Sequence, residues 1–349
     1  MSKTKLLILY TGGTLGMGYK TKGDETSPLV PLDWSTVYKS ISIFSPQSYF
    51  TKEKGIIFKF LKFKTAIDSS EINPSHWKKI LEIINKNYAN FDGFIIIHGT
   101  DTMAYTASAL SFAIQGLKKP IVLTGSQLPV FHSRTDAINN LSNAVHIAAA
   151  KVFGHKTIPE VLICFNDKLM RGNRATKSSS RDFSGFETPS FPILGDLNEP
   201  IKISNELVLK FTDKEFKILP EFESNIIIIT LFPGFNHELF KTIAQIKNLK
   251  GVILRTFGSG NAPTDIKFLN SLKQLKQKGK IVVNISQCIE GNIDTTKYKT
   301  GKLINDCGVL SSGNMTLETA TAKLMWLLGN YNNNKIQELF VQNLKGEMN

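Results

Sequence analysis

Three short stretches of this chain put glycine and a hydroxyl side by side directly after an apolar run. Thr11-Gly12-Gly13-Thr14 follows Leu6–Tyr10, His98-Gly99-Thr100-Asp101-Thr102 follows Phe94–Ile97, and Thr124-Gly125-Ser126-Gln127 follows Ile121–Leu123. Glycine lets backbone amides approach a ligand closely, and amides converging near a strand-to-helix turn can stabilise a developing oxyanion. A hydroxyl beside them is a candidate nucleophile, weak at neutral pH unless a neighbouring base takes its proton or its alkoxide is stabilised. That chemistry is acyl transfer. The plainer reading of each loop is capping, because Thr, Ser and Asp are ordinary helix N-cap residues. Three loops of matching composition favour a site.

Other chemistries fit less well. A glycine-rich turn after a first strand is also how nucleotides are held, but TGGTLG at 11–16 is not GxGxxG, no GxxxxGK[ST] occurs, and Gly258-Ser259-Gly260 runs on to Pro263 without a third glycine. No cofactor is expected. The six histidines are scattered and no HExxH occurs, so no metal site is expected either. His98 sits at a strand end, where a histidine commonly bonds the backbone; with no GxSxG serine in the chain, it reads as a supporting residue, not a triad base.

These loops need a scaffold that brings strand ends together. Short β-branched runs (Leu6–Tyr10, Phe94–Ile97, Ile121–Leu123, Val161–Phe165, Ile226–Phe232, Val252–Leu254, Ile281–Ile285) alternate with segments whose apolar residues recur every three or four positions. The latter are Pro74–Asn87, Thr102–Gln115, Asp136–Phe153, His237–Ile246, Asp265–Lys278 and Leu317–Leu328. This is the rhythm of parallel βαβ units, in which ligands bind beyond the carboxyl ends of the strands. The pattern weakens from about Phe191 to Ser224, where GDLNEP is turn-rich and KISNELVLKFT reads as a hairpin or connecting strand. The expected fold class is therefore α/β, with a larger doubly wound, mostly parallel N-terminal domain (1–193), a linker (194–224) and a smaller parallel-sheet C-terminal domain (225–349). A length of 349 residues with 42% hydrophobic content is ample for two cores.

Composition narrows the partners. The net charge of +13 comes from lysines dispersed along the chain, not from one block, so no nucleic-acid partner is expected. The longest apolar run is strand-sized, well below the roughly 20 residues that cross a bilayer, so no membrane span is expected. Leu6–Tyr10 is too short for a signal-peptide core. Cys164, Cys288 and Cys307 stand singly, which fits a reducing, cytoplasmic setting.

TGGTLG at 11–16 and HGTDTM at 98–103, in this order and at this separation, resemble the two signature motifs of the bacterial-type L-asparaginases. AIDSSEI at 66–72, TGSQLP at 124–129, RGNRATK at 171–177, LRTFGSGNAP at 254–263 and NISQC at 284–288 resemble the cytoplasmic type I branch, so the likeness spans nearly the whole chain. The resemblance implies a homo-oligomer, dimer or tetramer, with active sites where subunits meet, and L-asparagine as substrate. It implies Thr14 as the nucleophile that becomes an acyl-enzyme, served by Thr100, Asp101 and Lys177. Asp68, Ser69 and Ser70 would hold the substrate's α-amino and α-carboxylate groups, and the Ser126 carbonyl would sit near the scissile amide. Read without the resemblance, Lys177 is a solvated loop lysine. As a base it must be deprotonated part of the time, which burial or a cation such as Arg171 or Arg174 favours. Thr100 would relay the proton, and Asp101 suits a substrate ammonium.

Relatives place a tyrosine on a lid after the first motif. Here Met17–Val30 has the Gly, Lys, Asp and Ser content of a lid, and its single tyrosine is Tyr19. Pro263 stands where secreted members have an asparagine. Some cytoplasmic members carry an activating asparagine site, whose residues correspond to Thr176, Arg255 and Cys288; positive cooperativity is the expectation, with an ordinary buried cysteine as the alternative for Cys288. Three other functions compete with asparagine hydrolysis. Glutamine differs by one methylene. An amidotransferase subunit sharing these motifs would carry a further domain before them, and ten residues precede Thr11. A non-catalytic sensor would lose Thr14 or Lys177, both of which are present.

Overall fold

The computed structural model describes residues 3–21, 24, 26–293 and 299–349. The chain divides into two compact units, one running through Thr188 and resuming at Pro192–Ile218, the other holding Pro189–Phe191 and Leu219–Asn349.

In the first unit the strands are β1 (Lys5–Gly12), β2 (Met17–Tyr19), β3 (Leu29–Pro31), β4 (Ile57–Ile67), β5 (Gly93–Ile97), β6 (Ile114–Gln115) and β7 (Ile121–Thr124). They continue with β8 (Val161–Phe165), β9 (Lys168–Arg171), β10 (Thr176–Lys177), β11 (Phe186–Glu187), β12 (Gly195–Asp196), β13 (Lys202–Ile203) and β14 (Lys217–Ile218). Its helices are α1 (Trp34–Ser40), α2 (Pro74–Asn87), α3 (Met103–Ala113) and α4 (Ala137–Ala148). The main sheet runs β13-β12-β9-β8-β7-β5-β1-β4. From β4 to β8 neighbours are parallel; β9, β12 and β13 add antiparallel pairings at one side, so the sheet is mixed. The reversal from β8 to β9 needs only two residues, Asn166 and Asp167, both at positive φ (47° and 58°), which matches the twist of a tight hairpin.

Burial explains why this scaffold was legible. From Leu6 onward β1 is buried at every position, as are β5, β7 and β8, because helices cover both faces of a parallel sheet. Helix α2 starts at a reciprocal cap: Asn73 Oδ1 accepts from the Ser75 amide while His76 Nδ1 accepts from the Asn73 amide, with Pro74 at the first turn. Buried around its whole circumference, α3 carries the second motif at its start.

The second unit has a four-stranded parallel sheet, β15 (Ile226–Thr230), β16 (Gly251–Thr256), β17 (Ile281–Ser286) and β18 (Leu310–Ser311) in that order, with helices α5 (Leu239–Gln245), α6 (Ile266–Gln277), α7 (Lys299–Asp306), α8 (Leu317–Asn330) and α9 (Asn333–Phe340). Val252, Leu254, Phe240, Phe268 and Leu272 form the centre of its core.

Two differences from the sequence reading stand out. Residues 194–218 belong to the first unit instead of forming a linker: β12 and β13 extend the main sheet, β14 pairs with β6, and the Leu207 carbonyl and Leu209 amide bond the buried Arg171–Glu160 ion pair. The sequence pattern also does not reveal strand β4 or helices α1, α7 and α9.

Candidate active site

The three glycine–hydroxyl loops meet at the carboxyl ends of β1, β5 and β7, and glycines are what let them meet. Gly13 adopts φ 93° and ψ 170°; a Cβ there would lie 2.6 Å from the Cα and the nitrogen of Gly99. At Gly99 a Cβ would lie 2.6 Å from Ser69 Oγ, and at Gly125 it would run into the His98 carbonyl. Backbone therefore packs on backbone from one loop to the next, and Thr14 and Thr100 each follow a glycine of the same touching pair. Further ties hold the arrangement: Val130 N donates to the Leu15 carbonyl, Thr11 Oγ1 to Ile97 O, Thr124 Oγ1 to Cys164 O and Thr102 Oγ1 to Ser69 O.

Lys177 reaches this edge from β10. Its Nζ donates to Thr100 Oγ1 at 2.8 Å and to Asp101 Oδ1 at 2.5 Å. The lysine side chain is 16% exposed and the aspartate 62%, so the ion pair lies at the mouth of the site with its basic end turned inward. Position 177 is held by the pairing of β10 with β11, and Gln127 Nε2 bonds the Asp182 carbonyl between those strands. Among the described residues no hydrogen-bond partner engages the half-buried Thr14 hydroxyl.

The Asp68–Ser70 segment is built by local rules. Asp68 caps a short turn, its Oδ1 accepting from the Ser70 amide and hydroxyl at 2.9 Å each, and among the described residues nothing bonds its Oδ2. Ser69 is buried against Gly99 while Asp68 and Ser70 are exposed. Ser126 is also buried, its Oγ donating to Leu128 O at 2.5 Å.

His98 supports the loops from below. With Nδ1 donating to Gly99 O (2.7 Å), Nε2 accepts from the Thr106 hydroxyl (2.9 Å), whose oxygen in turn accepts from Trp77 Nε1 (3.0 Å). Full burial pulls its pKa down to about 4, so the ring stays neutral. Beneath the first loop Tyr10 stacks on Trp34 at 4.3 Å, and burial pushes its hydroxyl up to about 12.

In the segment read as a lid, β2 and β3 pair and Tyr19 lies near His132, ring centroids 6.5 Å apart; Lys22, Gly23 and Glu25 of that segment lie outside the described residues. Arg171, expected as a cation near Lys177, is instead committed to Glu160 at 2.6 Å, both side chains buried. Arg174 is buried as well. Thr176 belongs to the first unit, Arg255 and Cys288 to the second. Arg255 is the penultimate residue of β16 with its Nε buried, and Cys288 is exposed just past β17, so the buried-cysteine alternative does not hold. Among the described residues no group of three or more His, Cys, Asp and Glu side chains could hold a metal ion, and no helix is long and apolar enough to cross a membrane.

The family profile described as "Asparaginase, N-terminal" matches residues 5–209, and "Glutaminase/Asparaginase C-terminal domain" matches residues 225–340. The chain belongs to the asparaginase family. It is 34% identical over its whole length to L-asparaginase 1 of Escherichia coli (strain K12), covering 99% of that protein. To the 60 kDa lysophospholipase of Mus musculus it is 36% identical over 99% of its own length but only 62% of the relative's, less than two thirds. The crystal structure of L-asparaginase I from Vibrio cholerae superimposes with a TM-score of 0.88, 38% identity and full coverage of both chains. Membership places the chain among amidohydrolase enzymes, and the α/β architecture expected from its strand rhythm is that of the solved asparaginases.

Two residues that hold the loops of this site together are not marked out by the sequence pattern. Thr102 ties the Asp68–Ser70 segment to the second motif, and its position inside HGTDTM was the available signal. Asp136 accepts from the Gln127 and Leu128 amides and from Asn140 Nδ2, fixing the loop after β7. An acidic residue at the start of a helical pattern hints at a cap, but this one serves a preceding loop nine residues away, a relation no local pattern contains.

Proposed function

We propose that the chain is an L-asparaginase, hydrolysing L-asparagine to L-aspartate and ammonia through a threonyl acyl-enzyme. The observation that carries the reading is Lys177 Nζ on Thr100 Oγ1 at 2.8 Å, beside the contact of Gly13 with Gly99, with the Thr14 hydroxyl unengaged among the described residues. In acylation Thr14 Oγ attacks the side-chain carbonyl carbon and its proton passes by way of Thr100 to unprotonated Lys177. The C–N bond then breaks as the nitrogen takes a proton and leaves as ammonia. In deacylation water attacks the ester, its proton returns to Thr14 Oγ, and aspartate departs. Asp68, Ser69, Ser70 and Asp101 are assigned to the substrate's charged α-groups. A homo-oligomer, cytoplasmic location and activation by asparagine through Thr176, Arg255 and Cys288 belong to the same proposal, on the strength of the type I motifs.

Ammonia release tests it. Thr14→Ala is expected to fold and to lose turnover by several orders of magnitude, as removal of a nucleophile does; near-normal turnover refutes the assignment. Lys177→Met is expected to abolish kcat while substrate binding persists, and a change confined to KM moves Lys177 to a binding role. A pocket separates substrates one methylene apart by only about 1–3 kcal/mol, so glutamine is measured alongside. Strictly hyperbolic asparagine dependence, unaltered in Arg255→Ala, removes the activation site.

A further inference from the structure

At the edge of the main sheet opposite the catalytic loops lies a second concavity, of about 830 Å3. It opens at the amino ends of β1, β5 and β7, roughly 25 Å from the motif loops given the eight residues of β1 and a rise of about 3.3 Å each. Six of its seventeen lining residues are lysines: Lys3, Lys52, Lys54, Lys118, Lys119 and Lys151. The whole chain has 42 lysines and arginines in 349 residues, so the dispersed charge of the sequence is gathered here by the fold. Only two carboxylates share the cavity, Glu53 and Asp92, and Asp92 Oδ2 is engaged by the Lys5 amide.

Two of the six lysines have structural employment. Lys119 Nζ donates to the carbonyls of Tyr88 and Phe91 at 2.5 and 2.6 Å, and Lys54 lies over the rings of Tyr49 and Phe153. The other four, Lys3, Lys52, Lys118 and Lys151, are exposed and have no ion-pair partner among the described residues. They come from four separate segments: the lead into β1, the turn before β4, the lead into β7 and the turn after α4. The carboxyl end of α4 at Ala148 contributes opposing partial negative charge, on the order of half an elementary unit. That is small beside six ammonium groups facing two carboxylates. Thr4 and Thr157 add hydroxyl donors to the wall.

We propose that this cavity binds a small multiply phosphorylated anion. The volume falls in the range of small-molecule pockets, and convergent lysines from separate segments suit several phosphate groups better than one carboxylate, each acting as a compact charge with rotatable donors.

Calorimetric titration of the full chain with inorganic tripolyphosphate, and separately with ATP, tests it. Saturable binding with a Kd below 1 mM that weakens at least tenfold in Lys52→Gln/Lys118→Gln/Lys151→Gln is expected. The control Lys39→Gln/Lys247→Gln/Lys278→Gln removes the same charge from exposed positions elsewhere and is expected to bind as the parent does. Equal affinity for the two probes assigns recognition to phosphate alone, and tighter ATP binding adds the nucleoside. Absence of saturable binding by both probes, or equal weakening in both triple variants, overturns the proposal.

Discussion

Replacing Gly13 by alanine tests whether the active site depends on backbone-to-backbone packing. The added Cβ meets two penalties. First, φ 93° with ψ 170° is a region that side chains rarely adopt, costing about 1–3 kcal/mol. Second, the methyl would stand 2.6 Å from Gly99 Cα and N, backbone that cannot swing aside as a flexible side chain would, and such overpacking costs about 1–3 kcal/mol. Together these give roughly 2–6 kcal/mol, and a central figure of about 4 kcal/mol lowers the melting midpoint of a unit this size by roughly 8–16 °C. Relief requires the first loop to move off the second, and displacement of a reacting group by about 1 Å costs on the order of a hundredfold in rate. Gly154→Ala is the matched comparison: φ is 81°, but nothing lies within 4 Å of the added carbon. Strain alone, about 1–2 kcal/mol, should appear there with kcat unchanged. Calorimetry and ammonia release on both variants decide the matter. If Gly13→Ala melts no lower than Gly154→Ala, or keeps parental kcat, the packing argument is wrong.

His98 gives a pH signature. Its folded pKa of about 4 lies below the ordinary 6.5, so the unfolded chain takes up a proton first as pH falls. Its stabilising contribution is full above about pH 6.5 and lost toward pH 4, up to roughly 3 kcal/mol. The urea-midpoint advantage of the parent over His98→Gln should shrink from pH 7.5 to 4.5; a constant difference contradicts the assignment. In the second unit, Lys323 and Glu347 form an ion pair at 2.5 Å with both side chains wholly buried. Glu347→Ala strands the ammonium and should cost about 3–5 kcal/mol, whereas Lys323→Met/Glu347→Leu should recover most of that. Equal denaturation midpoints for the single and double variants would show that the charge is not the cause.

The sequence disclosed what local patterns encode. Strands buried on both faces read as unbroken apolar runs, so β1, β5, β7, β8, β16 and β17 were visible, and with them the sheet edge where the motifs gather. Strand β4 was not, because Phe58, Phe60 and Phe63 alternate with Lys59, Lys62 and Lys64 at the sheet margin, where neither a continuous run nor a helical period appears. The stretch 194–218 looked like a linker because its strands are two residues long and owe their existence to distant partners. Lys177 is the sharpest case. Its partners lie 77 and 76 residues away, and nothing in RATKSSS distinguishes it from a solvated lysine; only the family likeness singled it out. Conversely, Arg171 looked like its neighbour in sequence but is committed to Glu160.

Capping does occur in this chain: Asp33, Asp68, Asn73 and Asp265 each accept an amide at the start of a helix or turn. The motif hydroxyls behave differently. Thr102 occupies the cap position of α3 yet makes no cap bond, its hydroxyl going to Ser69 O. Thr11 and Thr124 staple adjacent strand ends, Ser126 closes its own loop, and Thr100 accepts from Lys177. One after another these hydroxyls are taken up in holding the loops together or in contact with the lysine. Thr14 is the exception: it follows the glycine whose backbone packs on Gly99 and is half-buried, and among the described residues its hydroxyl has no hydrogen-bond partner. A hydroxyl without a hydrogen-bonding duty among the described residues suits the proposed nucleophilic role, whereas a cap would be spent on its own helix.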